Sequence, residues 1–333
     1  MRTGRLPEHT FKRSVINTIR YRNKNTAYRT AVGHDGAVFG DMVTAMATTA
    51  FYYEGNEMYA VDNAVNNVIA SGGEPYGLSV TVLLPEHSEE AVLRKIMGSV
   101  SGVASRYELD LFAGHTELVP TVNEPTIVVT AYGKVLFANR HKEISAGMDI
   151  VMTKWAGLYG GAILANLKKE ELTTRYPKSY IEVAAGYLDN TSLMPELSVL
   201  KRISKQEDIS IYAAHDVSNG GVFGALWQIL SASNKGGQVE VSSIPIKQEI
   251  IEVSEFFEIN PYMLNGQGSL LIITDNGDAL VEAFNEENIN AAVIGRTCEG
   301  NNRVVKVGEE ERFLVAPKGD MLGEVIYGQK VPV

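Results

Sequence analysis

Residues that could carry chemistry gather in five glycine-containing segments of the chain. Four of them combine glycine with ionisable or amide side chains: VGHDGAVFGD at 32–41, NAVNNVIASGGEP at 63–75, AGHTE at 113–117 and AAHDVSNGGV at 213–222. The fifth, TKWAGLYGGA at 153–162, runs from a predicted strand into a helix. Glycine at such junctions lets backbone N–H groups approach a ligand, and a following helix N-terminus favours phosphate and other anions. The segments therefore predict a pocket for a polyanion.

Three of the six histidines lie inside these segments, each close to a carboxylate: His34 with Asp35, His115 with Glu117, and His215 with Asp216. Carboxylates suit Mg²⁺, directly or through phosphate, whereas imidazoles suit Zn²⁺ or proton transfer. The spacing identifies no metal. Because no HExxH ligand pattern is present, a hydrolase built on these histidines is the least supported alternative.

The pattern of apolar residues places these segments on an α/β or α+β framework. The first half predicts a strand-like run at 42–49, helices at 60–71 and 88–105, and a strand at 76–85. The second half predicts helices at 178–189, 195–206 and 277–288, with closing strands near 291–295, 303–307 and 312–315. With 333 residues, two domains are expected, and the turn SAGMD at 145–149 predicts the division 1–145 and 146–333.

Composition and charge exclude several classes of protein. The formal charge of −10 would repel a nucleic acid backbone, although the first thirty residues carry eight basic residues against one acid, Glu8. Pro7, Glu8 and the spacing of Phe11, Val15 and Ile19 predict an ordinary amphipathic helix there, and a short anion-binding arm is the alternative. No apolar run of membrane-spanning length and no signal peptide are recognised, so a cytoplasmic protein that neither binds a membrane nor is exported is expected. A lone cysteine, Cys298, excludes an internal disulfide.

Further motifs occur together with these segments in a characteristic order. They are GRLPEHTFKRSV at 4–15, NNVIASGGEPYGLSVTVLLPE at 66–86, MTKWAGLYGGAILA at 152–165, HDVSNGGVFGALWQI at 215–229 and SSIPIKQEIIEVSEFFEINPYML at 242–264. The ordered set resembles the AIR synthase (PurM-like) superfamily, nearest to the hydrogenase maturation factors of the HypE type and their clostridial-type paralogues. The resemblance implies an N-terminal dimerising β-sheet domain with flanking helices, and a C-terminal α/β domain.

The resemblance also implies a cofactor, a homodimer and site residues. ATP with Mg²⁺ is expected, bound by the N-terminal domain, and the activity would be that of an ATP-dependent ligase or cyclo-ligase, dehydratase or kinase. Implied catalytic residues are Asp35, His115 and Asp216, and implied metal ligands are Asp35 and Glu117. Implied nucleotide contacts are His34, Asp35, Gly36, Asn66, Asn67, Gly114, His115, Thr116, Glu117, Lys154, Asn219, Gly220 and Gly221.

The chain departs from the family pattern where the family gathers Mg²⁺. Thr48 and Thr49 replace one carboxylate, Asn66 and Asn67 fall where many members read Asn-Asp, and His115 occupies the place of an aspartate. The chain also ends GQKVPV, without the terminal cysteine of the hydrogenase factors. Two functions stay open: an ATP-dependent enzyme acting on a small amide, carboxylate or phosphate-bearing substrate, or a non-catalytic nucleotide- or metabolite-binding homodimer that acts as a maturation partner.

Overall fold

The computed structural model describes residues 6, 8–21, 31–49, 52–53, 55–206, 208–316 and 319–328. The helices are α1 (Glu8–Ser14), α2 (Glu57–Ala70), α3 (Glu90–Arg106), α4 (Leu158–Leu167), α5 (Lys169–Leu172), α6 (Lys178–Gly186), α7 (Met194–Ile203), α8 (Gly221–Ser233), α9 (Gln248–Phe256), α10 (Gly277–Glu286) and α11 (Met321–Tyr327). The strands are β1 (Gly36–Phe39), β2 (Met42–Thr48), β3 (Gly73–Pro85), β4 (Asp110–Val119), β5 (Thr126–Val135), β6 (Asp149–Thr153), β7 (Ile211–Val217), β8 (Gly236–Glu240), β9 (Ser269–Thr274), β10 (Ala291–Cys298), β11 (Arg303–Val307) and β12 (Glu310–Phe313).

The chain divides into two compact units. One, here called the N-terminal unit, comprises residues 35–137, and the other, the C-terminal unit, comprises residues 1–34 and 138–333. The sequence predicts domains 1–145 and 146–333. Contacts group α1 and the residues from Ala138 onward with the C-terminal unit, where Glu8 contacts Trp227, and the predicted division stays a prediction.

The N-terminal unit is a five-stranded sheet with the order β1-β2-β5-β3-β4. Only the β3–β4 pair is parallel, and α3 connects those two strands. On β2, Val43, Ala45 and Ala47 are buried while the residues between them are not, and β5 shows the same alternation. Because strand side chains alternate between faces, one face packs against α2 and the opposite face is not covered by helices within this unit.

The C-terminal unit is built on a seven-stranded sheet with the order β12-β11-β8-β10-β6-β9-β7. Strand β9 is buried at every position, as expected of a continuous apolar run in a sheet covered on both faces. Met152 of β6 and Leu271 of β9 form a core with Leu226 and Ile229 of α8. This core supports the turn between β7 and α8, which carries one of the glycine segments.

The predicted α/β (α+β) class with two sheet-containing halves is confirmed. Most predicted elements lie within a few residues of their observed positions, for example the helix expected at 88–105, which is α3. The helix expected at 178–189 is α6, which ends at Gly186 and continues as a short 3₁₀ turn to Asn190. Pro7 and much of the basic N-terminal segment lie outside the described residues. Among the described helices, none is both long enough and apolar enough to cross a membrane.

Candidate functional site

The start of β1 carries Asp35 and Gly36 against the end of α2. A side chain at Gly36 would collide with Ser71, the residue that follows α2, whose Cβ would lie 2.9 Å from the added Cβ. The N–H of Ser71 donates to the carbonyl of Asn67 at 3.0 Å. Glycine is therefore required at this approach, and it brings the first glycine segment beside the helix end that carries the second.

The two asparagines of that helix lie inside the unit. Asn66 is 1% exposed and Asn67 is 7% exposed. On the same helix, buried Asp62 accepts a hydrogen bond from the Tyr107 hydroxyl at 2.7 Å. The structure thus places Asp35 and Gly36 at the start of β1 near the part of α2 that carries Asn66 and Asn67.

The AGHTE segment lies on β4, the opposite edge of the sheet. Every residue from Asp110 to Leu118 is exposed. His115 pairs with Thr81 and Glu117 with Leu83, both on the uncovered face, and His115 Nε2 lies 3.1 Å from Glu117 Oε2. Gly114 and Thr116 pair with Val80 and Val82 and therefore belong to the other face. A ligand bound on one face of the sheet would therefore contact only every second residue of this segment.

The two predicted metal ligands of the N-terminal unit are far apart within one chain. Asp35 precedes β1 and Glu117 lies on β4, four strand steps away across the sheet. At about 4.8 Å a step, the separation along the sheet is about 19 Å. Ligands of one Mg²⁺ lie about 2.1 Å from the ion. Asp35 and Glu117 of one chain therefore do not hold the same ion within this unit.

In the C-terminal unit, His215 and Asp216 are buried at the end of β7. The carbonyl of Asp216 lies 2.7 Å from His215 Nδ1, and Gln228 Oε1 lies 3.1 Å from His215 Nε2. Both ring nitrogens therefore face oxygen atoms, which fixes the plane of the imidazole. The Asp216 carboxylate is 2% exposed, so any proton or charge that it carries is shielded from bulk water.

A neutral histidine that the sequence did not single out lies next to His34. The His34 and His141 rings stack with centroids 5.2 Å apart. His141 Nδ1 lies 3.3 Å from Ser233 Oγ, and that hydroxyl donates to the Ile229 carbonyl at 2.7 Å, so Nδ1 carries the proton. Burial, followed by repulsion from His34 and His215, lowers the pKa of His141 from 6.5 to about 4.

The SNGG turn between β7 and α8 contains two glycines with left-handed backbone. Gly220 has φ +86° and Gly221 has φ +64°. A Cβ on Gly221 would lie 2.7 Å from the carbonyl oxygen of Leu264 and 2.9 Å from its nitrogen. Asn219 Oδ1 accepts a hydrogen bond from Asn265 Nδ2 at 3.2 Å. The turn is therefore packed against the chain near residue 264 and tolerates no side chain there.

The amide of this turn already has an internal partner, Asp320. Its Oδ2 accepts from the Gly220 N–H at 2.7 Å, and the residue is 8% exposed. Burial raises the pKa of Asp320 from 3.8 to about 6, against the effect of three backbone hydrogen bonds. Sequence spacing gave no signal for this contact, because Gly220 and Asp320 are separated by 100 positions.

Lys154 also has internal partners. Its Nζ lies 3.0 Å from Glu196 Oε2 and donates to the carbonyls of Ser192 at 2.6 Å and Asn190 at 3.3 Å. Lys154 has φ +53°, and it is 6% exposed. The Lys154 ammonium group thus pairs with the fully buried carboxylate of Glu196. To contact a nucleotide, as predicted, Lys154 would have to leave these oxygen atoms or share its protons between them and the nucleotide.

Two sheets flanked by helices, with glycine turns where strands meet helices, define a two-domain protein of the PurM-like class. Residues 27–135 match the family described as AIR synthase related protein, N-terminal domain, and residues 145–308 match its C-terminal domain. The chain belongs to the AIR synthase-related family.

Among known proteins, the chain is similar to those of hydrogenase maturation. Carbamoyl dehydratase HypE of Rhodobacter capsulatus is 23% identical over 313 residues, 91% of this chain and 86% of that protein. The crystal structure of a HypE–HypF complex matches with TM-score 0.74 and 18% identity, over 92% of this chain and 99% of that chain. The crystal structure of HypE in complex with ATP matches with TM-score 0.70 and 20% identity, over 93% and 92%. The chain is HypE-like in sequence and fold.

Proposed function

We propose that this chain binds ATP and uses it to activate a small substrate that bears an amide, carboxylate or phosphate group, as a HypE-like maturation protein. The observation that carries the proposal is the start of β1, where Asp35 and Gly36, which is packed against Ser71, lie beside the end of α2. Support comes from the HypE structure that holds ATP on the same fold. Phosphoryl transfer needs chiefly positioning and charge neutralisation, which such backbone and carboxylate groups supply.

In this proposal Asp35 is the hard oxygen ligand for Mg²⁺, and Asn66 and Asn67 contribute neutral amide oxygens or contact phosphate. His115 and Asp216 are the further catalytic groups, and Glu117 is the second metal ligand. The remaining proposed nucleotide or substrate contacts are His34, Gly36, Gly114, Thr116, Lys154, Asn219, Gly220 and Gly221.

We further propose a homodimer, with the edge strand β4 at the contact. Three large apolar side chains of this strand are exposed: Leu111 (41%), Phe112 (53%) and Leu118 (53%). A long edge strand with exposed apolar side chains is unusual in a protein that remains a monomer. Since Asp35 and Glu117 lie at opposite edges of one sheet, a metal site shared by them would take one residue from each subunit.

Mixed dimers test this shared site. Asp35→Asn and Glu117→Gln proteins are each expected to lose Mg²⁺-dependent ATP binding. A mixed dimer of one Asp35→Asn subunit and one Glu117→Gln subunit, isolated with two different tags, would contain one intact site and one doubly altered site. Binding at half the wild-type stoichiometry is therefore expected. Glu124→Gln, at an exposed residue between β4 and β5, serves as the matched control. A mixed dimer with no binding contradicts the shared site.

A second candidate, a nucleotide- or metabolite-binding homodimer without turnover, is favoured by the two threonines at the position of a family carboxylate. The Thr48 hydroxyl donates to the Ile127 carbonyl at 3.1 Å, and the Thr49 hydroxyl accepts from the Ile127 N–H at 3.3 Å. These hydroxyls hold β2 to β5 and carry no charge to compensate a metal. A maturation partner protein would fit this candidate, as in the HypE–HypF complex.

Calorimetric titration with ATP, with and without Mg²⁺, followed by an ADP-release assay, separates the two candidates. Binding with ADP release supports the enzyme, and binding without release supports the second candidate. Asp35→Asn is expected to weaken binding of Mg-ATP, because a carboxylate ligand is lost, whereas Asp41→Asn in the exposed β1–β2 turn changes nothing. Failure of the folded wild-type protein to bind ATP contradicts the enzyme, and failure to bind any nucleotide also contradicts a nucleotide-binding homodimer.

A further inference from the structure

Two imidazoles of the C-terminal unit lie next to each other: His34, and His141 at the start of a short 3₁₀ turn (His141–Glu143). Their ring centroids are 5.2 Å apart and their ring planes differ by 21°. His34 is exposed and His141 is partly buried. Because histidine is the commonest protein ligand of transition-metal ions, the two rings are a candidate pair of metal ligands.

Ser233 determines which nitrogen of His141 carries the proton. This serine ends α8 and is 7% exposed, and its hydroxyl donates to the Ile229 carbonyl at 2.7 Å. Since the single hydroxyl proton is used there, Ser233 Oγ accepts from His141 Nδ1 at 3.3 Å. Nε2 of His141 therefore carries a lone pair. Histidines that bind metal ions characteristically donate their other ring N–H to a fixed acceptor in this way.

The lone pair of His141 is available at neutral pH. Burial, followed by repulsion from His34 and His215, lowers the pKa of His141 to about 4, so a metal ion displaces no proton from Nε2. His215 offers no nitrogen of its own. Its Nδ1 lies 2.7 Å from the Asp216 carbonyl oxygen and its Nε2 lies 3.1 Å from Gln228 Oε1.

The spacing of the two rings fits one shared ion. A tetrahedral Zn²⁺ lies about 2.0–2.1 Å from each ligating nitrogen, which places the ring centroids of two histidine ligands about 5 Å apart. The centroids of His34 and His141 are 5.2 Å apart. Because His34 is exposed, rotation about its side-chain torsions can direct a nitrogen toward the ion that His141 Nε2 binds.

We propose that His34 and His141 bind a divalent transition-metal ion of the Zn²⁺ type, with Ser233 fixing the tautomer of His141. Two imidazoles leave further coordination positions for water or for an oxygen of a small ligand. Imidazole nitrogen suits Zn²⁺ and Ni²⁺, whereas carboxylates such as Asp35 suit Mg²⁺, so this site differs in its chemistry from the proposed magnesium site. It requires no nucleotide and goes beyond the proposed function.

Calorimetric titration of the nucleotide-free protein with Zn²⁺ tests the site. His141→Gln is expected to bind Zn²⁺ at least about tenfold more weakly than the wild type, because one of two ligands is lost. Ser233→Ala is expected to weaken binding by about 10–100-fold, the usual effect of removing the hydrogen-bond partner of a ligating histidine. His87→Gln, at an exposed histidine between β3 and α3, is the matched control and should bind like the wild type.

Several outcomes overturn the proposal. The first is the absence of saturable Zn²⁺ binding by the folded wild-type protein. The second is equal affinity in the wild-type and His141→Gln proteins. The third is binding that is lost in His115→Gln and kept in His141→Gln, because His115 lies 3.1 Å from Glu117 and offers a different pair of ligands. Equal affinity in the wild-type and Ser233→Ala proteins contradicts the role of Ser233.

A measurement on the unaltered chain covers the case in which His141→Gln does not fold. Diethyl pyrocarbonate modifies imidazole nitrogens that carry an accessible lone pair, and peptide mass spectrometry locates the modified residues with and without Zn²⁺. Zn²⁺ is expected to protect His34 and His141 and to leave the exposed His9 and His87 unchanged. Protection of His115 alone, or of no histidine, overturns the proposal.

Discussion

The surroundings of His141 favour the neutral form of its imidazole. Its ring stacks on His34, and its Nδ1 proton is held by Ser233, which in turn donates to the Ile229 carbonyl. Protonation would place a positive charge in a partly dry site near two other imidazoles. The pKa is accordingly lowered to about 4, and stability becomes dependent on pH.

The pH dependence has a definite sign. The unfolded chain takes up the His141 proton near pH 6.5, whereas the folded chain takes it up only near pH 4. This contribution to stability is therefore complete above pH 6.5 and is lost as pH falls toward 4, by up to about 3 kcal/mol. Urea unfolding of wild-type and His141→Asn proteins across this range measures it, and the difference between the two curves should change with pH. A constant difference contradicts the prediction.

Substitution by alanine is expected to have opposite effects on stability at Gly221 and at Gly98. Gly221→Ala would place a Cβ in contact with Leu264 at a left-handed φ, and a loss of about 3 kcal/mol or more is expected. Gly98→Ala lies in α3, where no heavy atom lies within 4 Å of the added Cβ, and a gain of up to about 1 kcal/mol is expected. Thermal unfolding of both proteins provides the comparison, and equal melting temperatures would contradict it.

At the scale of elements, α1 contacts the rest of the C-terminal unit through Trp227. Trp227 Nε1 donates to Glu8 Oε2 at 2.7 Å, and the Arg303 guanidinium lies 4.3 Å from the Trp227 ring centre. Lys12 pairs with the same glutamate. Glu8, the one acid of the basic N-terminal segment, therefore makes the contact to Trp227. Lys12 helps to orient the Glu8 carboxylate.

Trp227→Phe keeps the ring under Arg303 and removes the hydrogen bond. A loss of about 1 kcal/mol in unfolding free energy is expected, together with faster hydrogen exchange in α1. Glu90→Gln breaks the exposed Glu90–Arg94 pair of α3 and serves as the control, with a change within about 0.5 kcal/mol. Unchanged exchange in α1 would show that other contacts hold the helix.

Elements with a strong apolar period could be predicted from the sequence, and long-range polar contacts could not. α3 and β9 follow directly from repeated apolar residues, and the glycine segments mark turns at Gly33 and Gly220. His141 with Ser233, and Asp320 with Gly220, join residues 92 and 100 positions apart. Nothing in local spacing reports such a pair, because it depends on how the sheet brings distant segments together.

The metal site shows the same limit. Asp35 and Glu117 have carboxylates, which suit Mg²⁺, but the sequence carries no information on strand order. Strand order places them at opposite edges of one sheet, so that site stays a prediction that needs two subunits. Likewise, Lys154 has the charge for a phosphate contact, while the fold directs its ammonium to Glu196.

At the scale of the whole molecule, the exposed edge strand predicts assembly. Leu118→Lys on β4 is expected to convert the proposed homodimer to a monomer, because a charge directed into a strand-edge contact disfavours it. Val183→Lys on α6, at a side chain 50% exposed, is the matched control and should leave the mass unchanged. Light scattering at several concentrations measures both. A Leu118→Lys protein with the wild-type mass would contradict the assignment of β4.

The membership of residues 1–34 in the C-terminal unit sets the order in which the chain can fold as it is synthesised. Glu8 is synthesised 219 residues before its partner Trp227. Residues 35–137 can form their own sheet during translation, since all five of its strands lie within that span. The first helix, by contrast, can make this contact only after Trp227 has been synthesised, so it packs later than the sheet of the N-terminal unit can form.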